Sequence, residues 1–228
     1  MNFHKVLCSA VICLMLCSCG NSIKNDINIT DYSKTSVSSE VASTIDDLKS
    51  KSASEIGINE TVKTYLDKYA FANGSFDPET NGYILNCSGC DFWSDNEIPL
   101  SEIFGAAKVY CGYGLKITGL YIELPAEQTA DISVFPELVF IDCMSRDISG
   151  LTCADNLDNL KSFVLRYVQG QPEEALINVC KITEKCPNIE YIFIEGLYTD
   201  EYPALVEYLK GKYDIEVYDE GLKFEKES

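Results

Sequence analysis

The sequence predicts an α/β fold in which short parallel strands alternate with turns and helices. Three observations favour this class: apolar residues recur in the frame L-x-x-L-x-L, successive copies begin 21, 22 and 29 residues apart, and helix start and stop signals fall between copies. Such a period is typical of a solenoid with a parallel sheet on one side. The four full copies are Ile117, Leu120 and Ile122; Leu138, Ile141 and Cys143; Leu160, Phe163 and Leu165; and Ile189, Ile192 and Ile194.

The first element in chain order has the layout of an export signal. Lys5 precedes an apolar run that begins at Val6 and ends in Leu16-Cys17-Ser18-Cys19. This ending resembles the lipobox of bacterial lipoproteins. The resemblance implies removal of residues 1–18, acylation of Cys19 (palmitate included), and a lipid anchor on the extracytoplasmic face of the cell membrane. The run is too short for a spanning helix, which needs about 20 apolar residues; a plain secretory signal is the alternative.

A Ser- and Thr-rich segment follows the signal, and we expect a disordered tether over 19–55. Within it, only Val41, Ile45 and Leu48 fall at helical spacing, which favours at most a short transient helix. The domain itself is predicted over 56–228.

Residues 56–116 are expected to form a region that caps the repeats. Asn59 can cap a first helix there, with Val62, Tyr65, Leu66 and Tyr69 on one face. Leu85 and Cys87 form an early partial copy of the frame. Ala106–Tyr113 does not fit the frame, and we interpret it as a cap hairpin or an insertion.

The repeats are predicted over 117–218. Pro172-Glu173-Glu174 can open a helix that ends at Cys186-Pro187, and a second helix is expected from residue 200 to Lys210, stopped by Gly211. Ile215-x-Val217 is a fifth, partial copy.

A family resemblance is carried by Phe135–Cys143, Asp147–Leu151 and Asn159–Leu165. These stretches resemble bacterial leucine-rich-repeat surface proteins, internalin-like ones included. The resemblance implies strands that line a concave face, helices on the convex side, and binding of another protein by the concave face. The asparagine ladder of regular repeats is missing, so a compact α/β fold with a parallel sheet is the alternative.

Candidate binding residues follow from the alternation of side chains along each strand. The side opposite the inward apolar residues combines rings with carboxylates and an arginine, a composition found in protein-binding patches. We expect an unidentified protein ligand there, although a cap or loop that covers some of the rings is the alternative. The candidates are Tyr121, Glu123, Phe140, Asp142, Met144, Arg166, Tyr191, Phe193, Glu195 and Tyr218.

Composition argues against several kinds of chemistry. The chain carries 18 basic and 36 acidic residues, a net charge of −18, which disfavours nucleic acid as a partner. Its one histidine, His4, lies in the expected signal, so the mature chain has no histidine for a catalytic relay. There is no phosphate-binding loop and no metal-ligand spacing. We therefore expect no enzymatic activity, no catalytic residue, no metal and no cofactor.

Seven cysteines follow the one expected to carry lipid. Cys87-Ser88-Gly89-Cys90 has the C-x-x-C spacing but lies in a strand-and-turn frame, where no helix start stabilises a thiolate. Cys87 and Cys143 occupy inward positions. We expect most of these thiols to be buried and free, with a local disulfide as the alternative.

The function expected from these features is protein recognition by a monomeric surface lipoprotein whose only contact with the membrane is its lipid anchor. Two alternatives stay open. One is an envelope-associated carbohydrate-binding protein or a hydrolase that uses carboxylates alone; the other is a purely structural lipoprotein. A compact pocket with two close carboxylates would favour the hydrolase.

Overall fold

A computed structural model describes residues 39–71, 76–87, 98–125, 127–145, 147–166, 172–197, 202–218 and 221–225. All of them fall within one compact unit, Ser36–Ser228. The predicted signal peptide, Cys19 and the tether up to residue 38 lie outside the described residues.

Four of the described helices precede the second strand of the parallel run, one lies between its last two strands and one follows it. Those described are α1 (Ser39–Ser50), α2 (Ala53–Ile56), α3 (Glu60–Tyr65), α4 (Leu100–Gly112), α5 (Glu173–Lys185) and α6 (Pro203–Lys210). α3 continues directly into a π-helical turn over Leu66–Ala70.

The structure differs from the expected tether over residues 39–55. These residues form α1 and α2, and Leu48 is fully buried in the core with Ile45 beside it. The spacing of these two side chains gives α1 an apolar stripe, and their burial offsets the entropy lost when the helix orders. α2 is held by a capping box, in which Glu55 accepts a hydrogen bond of 2.6 Å from the backbone N–H of Ser52.

The predicted cap of the next helix is confirmed. The Asn59 side chain accepts hydrogen bonds from the backbone N–H groups of Thr61 (2.8 Å) and Val62. Tyr65 is buried as expected, but Tyr69 is 57% exposed. The π-helical turn explains this difference, because it adds residues to each turn and rotates Tyr69 away from the apolar face.

Ten strands are described, eight of them in one sheet of order β1-β2-β3-β5-β7-β8-β10-β9. β2, β3, β5, β7 and β8 are parallel, and each pairs with the next along the chain. β4 and β6 form a separate parallel pair. The strands are β1 (Phe76–Asp77), β2 (Gly82–Cys87), β3 (Ile117–Leu124), β4 (Ala130–Asp131), β5 (Phe140–Ser145), β6 (Leu151–Thr152), β7 (Ser162–Arg166), β8 (Tyr191–Glu195), β9 (Asp214–Tyr218) and β10 (Gly221–Glu225).

The last two apolar positions of the L-x-x-L-x-L frame pair with their equivalents across neighbouring strands. Equivalent positions of successive copies are direct partners across the parallel strands, and all are at most 1% exposed. We call these residues the ladder: Leu85, Leu120, Ile141, Phe163 and Ile192 in one row, and Cys87, Ile122, Cys143, Leu165 and Ile194 in the next. The predicted α/β class with a mostly parallel sheet is thus confirmed.

The ladder belongs to one continuous apolar core that also contains side chains of α4, α5 and α6. Ala106–Gly112 belongs to α4, so the interpretation of Ala106–Tyr113 as a cap hairpin is wrong. Phe104 of α4 packs edge-on against Phe135, with ring centroids 5.0 Å apart. The predicted ends of the later helices are confirmed, since α5 ends at Lys185, before Cys186, and α6 ends at Lys210, before Gly211.

The C-terminal edge of the sheet differs from the expected fifth copy. The strand that pairs with β8 is β10, and it runs antiparallel to it; β9, which holds Ile215 and Val217, pairs only with β10 among the described strands. Leu222 and Phe224 of β10 are buried opposite Ile194 and Ile192. A hairpin therefore ends the parallel run, because its second strand buries an apolar pair against β8.

Candidate functional site

The candidate binding residues whose side chains are described lie on the side of the sheet opposite the ladder, which we call the outer face. Strand register arranges them in rows that cross the sheet. The first row is Gly119, Phe140, Ser162 and Tyr191; the second is Tyr121, Asp142, Val164 and Phe193; the third begins with Glu123, Met144 and Arg166.

None of the described candidate side chains on the outer face is fully exposed to solvent. Of the candidate residues whose side chains are described, Asp142 is buried and the others are half-buried. Each central side chain has neighbours on both adjacent strands, and these cover its flanks. Tyr218 lies in β9 with its backbone opposite Gly221, and its side chain lies outside the described part of the chain.

Arg166 is the centre of the polar part of this face. Its guanidinium donates two hydrogen bonds of 2.8 Å to the carboxylate of Asp142, from Nε and from one terminal nitrogen. The other terminal nitrogen lies 3.3 Å from the carboxylate of Glu195. Three neighbouring strands are therefore joined by one arginine, in the bidentate geometry that guanidinium and carboxylate groups favour.

Electrostatics keep Arg166 ionised. Burial acts to lower the pKa of Arg166, but the hydrogen bonds and charges of Asp142 and Glu195 outweigh it and raise that pKa. The side chains of Arg166 and Asp142 are only 13% and 11% exposed. Because the pair is largely removed from water, each charge depends on the other for its solvation.

The aromatic part of the outer face begins with Tyr121 and Phe140, whose rings meet edge to face at 5.5 Å. Gly119 provides the space for Phe140, since a Cβ at residue 119 would lie 2.2 Å from the ring. Burial, followed by the negative charge of Asp142, raises the pKa of Tyr121 to about 12. Tyr121 is therefore a neutral phenol at physiological pH.

β10 also contributes side chains to this face, and the residues predicted from the sequence did not include them. The ammonium group of Lys223 lies 5.8 Å from the ring centroid of Tyr191 and forms an ion pair of 3.0 Å with Glu225. The available signal was the alternation of Leu222 and Phe224 with Lys223 and Glu225, which is typical of a half-buried strand.

Ser162 is the least satisfied polar residue of the outer face. It is 5% exposed, and its hydroxyl has no hydrogen-bond partner among the described residues. Its register partners are Phe140 and Tyr191. The hydroxyl therefore lies in an aromatic setting that offers it little compensation for lost water.

The described cysteines are free thiols with unequal burial. Cys87, Cys143 and Cys186 are buried as expected, whereas Cys111, Cys153 and Cys180 are half-buried. Burial raises the pKa of Cys87 to about 12, against a hydrogen bond with Tyr65, so this thiol is a poor nucleophile. Cys90, the other member of the C-x-x-C motif, lies outside the described residues.

The adjacent acids Glu173 and Glu174 line a cavity of about 400 Å³ between α5 and α6. Both belong to the first turn of α5, where the helix dipole stabilises carboxylates. Their position at a helix start thus explains them without a catalytic role.

Among the described residues, no three metal-ligating side chains cluster together, and no helix is long and apolar enough to cross a membrane. The chain matches no protein-family model, no curated protein and no solved structure.

Proposed function

We propose that this chain is a cell-surface lipoprotein that binds another protein through the outer face of its sheet and carries out no chemistry of its own. The observation that carries the proposal is the composition of that face. Tyr121, Phe140, Tyr191 and Phe193 lie in the two rows that precede the row of Arg166, on the parallel part of the sheet. Half-buried rings beside an arginine are the residues that most often anchor protein interfaces.

A leucine-rich-repeat architecture is part of the proposal. Its support is that copies of L-x-x-L-x-L pair in register and in chain order, with Leu120, Ile141 and Phe163 as successive partners. A solenoid brings equivalent residues of successive coils to adjacent strands, because each repeat contacts only its neighbours. The antiparallel β10 would then close the last coil and protect its edge.

Binding is favoured over hydrolysis because the carboxylates of Asp142 and Glu195 are both in contact with Arg166. Asp142 and Glu195 both contact Arg166, and Asp142 does so with both oxygens. These two carboxylates are thus engaged in holding the guanidinium of Arg166 in place.

The binding test compares two sets of aromatic substitutions in the full chain. Tyr121, Phe140 and Tyr191 are replaced together by Ser, and the control replaces Tyr69 and Tyr113, which are 57% and 47% exposed and lie outside the outer face. We expect the wild type and the control to capture the same protein from envelope or host extracts. The outer-face variant should lose that protein while its circular dichroism spectrum is unchanged.

Capture that survives the outer-face substitutions would place the binding site elsewhere and contradict the proposal. Retention of purified polysaccharide, with no protein captured, would favour the carbohydrate-binding alternative instead, because rings beside acids also stack sugars. We expect the captured partner to bind a monomer of this chain.

Anchoring by Cys19 at the extracytoplasmic face of the cell membrane is proposed from the signal alone. Replacing Cys19 by Ala should move the protein from the membrane fraction to the soluble extracytoplasmic fraction, while Cys17→Ala should leave it in the membrane fraction. The measurement is immunoblotting of fractionated cells. A Cys19→Ala protein that still needs detergent for extraction would argue against lipidation.

A further inference from the structure

Two of the free cysteines, Cys153 and Cys186, lie together although 33 residues of chain separate them. Cys153 follows β6, and Cys186 follows the last residue of α5. The two thiol side chains interact with each other, and each shifts the pKa of the other. The thiol of Cys153 in turn donates to the carbonyl of Asp155, with 3.1 Å between the sulfur and the oxygen.

Backbone and side-chain hydrogen bonds join the segment after Cys153 to the residues on both sides of Cys186. The N–H of Leu157 donates to the carbonyl of Lys185 at 3.0 Å, one residue before Cys186. The amide of Asn188 donates to the carbonyl of Asp158 at 2.9 Å, two residues after Cys186.

The loop that contains Cys153 is also hydrogen-bonded to β4. The N–H of Ala154, next to Cys153, donates to the carboxylate of Asp131 at 3.2 Å. These hydrogen bonds fix the backbone next to Cys153 and join residues 157 and 158 to the segment that holds Cys186, which favours the short Cα separation that a disulfide needs.

The two thiols differ in reactivity. The hydrogen bond from Cys186 lowers the pKa of Cys153 against burial and the charge of Asp131, and the same contact raises the pKa of Cys186. Cys153 is half-buried, whereas Cys186 is 0% exposed. The pair therefore has a half-buried thiol of lowered pKa beside a fully buried one, the arrangement of an attacking and a resolving cysteine.

We propose that Cys153 and Cys186 form a redox-active pair that closes into an intramolecular disulfide when it meets a small-molecule disulfide. The thiolate of Cys153 attacks one sulfur of the oxidant, whose S–S bond breaks and releases one thiolate. Cys186 then gives up its proton, and its sulfur attacks that of Cys153 and displaces the second thiolate. Two protein thiols are oxidised by two electrons, and the oxidant is reduced to two thiols. The proposal is independent of the proposed binding function.

Peptide mapping of the full chain tests this step with oxidised glutathione as the probe. After quenching with N-ethylmaleimide, trypsin places Cys153 alone in the peptide 147–161 and Cys186 alone in the peptide 186–210. We expect the wild type to yield these two peptides joined and lighter by two hydrogen atoms. Cys180→Ala is the matched control, since Cys180 is another half-buried thiol of α5, and it should retain the joined peptides.

Single substitutions separate the two roles. Cys186→Ser should lose the joined peptides completely and leave Cys153 bearing glutathione, whereas Cys153→Ser should leave Cys186 unmodified because it is buried. Alkylation of the native wild type by iodoacetamide should reach half its maximal rate at a lower pH for Cys153 than for Cys180, because the pKa of Cys153 is lowered and burial raises that of Cys180. Cys186→Ala should move the Cys153 profile to higher pH.

Some outcomes would overturn the proposal without relying on any variant. One is recovery of both wild-type peptides as separate, maleimide-labelled species after oxidation. Another is Cys186 joined to a cysteine other than Cys153. A third is a Cys153 alkylation profile that coincides with that of Cys180.

Discussion

The two faces of the central sheet are built by the same strands but obey different constraints. On the ladder face, every ladder residue from Leu120 to Ile194 is apolar and at most 1% exposed. On the outer face, rings, carboxylates and Arg166 alternate with small residues such as Gly119, and most side chains keep partial contact with water.

The same strands therefore serve two purposes: the ladder face provides stability, and the outer face provides specific contacts. The ladder requires only apolar volume at each position, because burial of apolar area is non-directional. The outer face requires particular partners, such as the bidentate contact between Arg166 and Asp142 and the clearance that Gly119 gives Phe140. We therefore expect stability to depend chiefly on the ladder.

The largest effect is expected for Phe163→Ala on the ladder. Phe163 is 0% exposed and lies between Ile141 and Ile192, so its removal leaves a cavity that its neighbours cannot fill. We expect a loss of about 3–5 kcal/mol in the free energy of unfolding. Phe140→Ala removes the same ring from the outer face and is the matched control, with an expected loss of about 1–2 kcal/mol because Phe140 is half-buried. Urea denaturation measures both, and equal losses would contradict the distinction between the faces.

An intermediate effect is expected for Arg166→Ala on the outer face. This change leaves the buried carboxylate of Asp142 without the charge that solvates it, at a cost of about 2–4 kcal/mol. Lys161→Ala is the control, because Lys161 pairs with Glu190 where the side chains are 41% and 62% exposed; its cost should stay below about 0.5 kcal/mol. Thermal unfolding monitored by circular dichroism compares the two. A cost for Arg166→Ala no greater than that of the control would mean that the network adds little.

The ladder was the part of the fold that the sequence could predict. A strand exposes every second residue to one face, so spacing alone placed Leu120, Ile141 and Ile192 on that face. Local signals also predicted the Asn59 cap and the limits of α5, since each depends on residues within one turn.

Two parts of the fold depend on contacts that no local pattern contains. The Ser- and Thr-rich composition around Ile45 and Leu48 predicts disorder, and only the core against which they pack orders α1. β10 lies between β8 and β9 because Leu222 and Phe224 bury against β8, a non-local pairing.

The candidate site could be predicted as a set of residues but not as a set of contacts. Alternation placed Asp142 and Arg166 on one face, and the register then brings them together from positions 24 residues apart. Whether an acid on this face meets the arginine or solvent depends on side-chain conformation, which spacing does not determine.

The smallest effect in this comparison is expected for Ser162→Ala. The Ser162 hydroxyl is buried on the outer face without a partner among the described residues, so its removal should leave the free energy of unfolding unchanged or raise it by up to about 1 kcal/mol. Ser145→Ala is the control on the ladder side: its hydroxyl donates to the carbonyl of Asp147 at 2.7 Å and accepts from the N–H of Asp147 at 3.0 Å. That variant should lose about 1 kcal/mol. Urea denaturation at fixed pH resolves the opposite signs. A Ser162→Ala protein as destabilised as the control would show that the Ser162 hydroxyl is hydrogen-bonded in solution, since only a satisfied hydroxyl contributes stability that alanine removes.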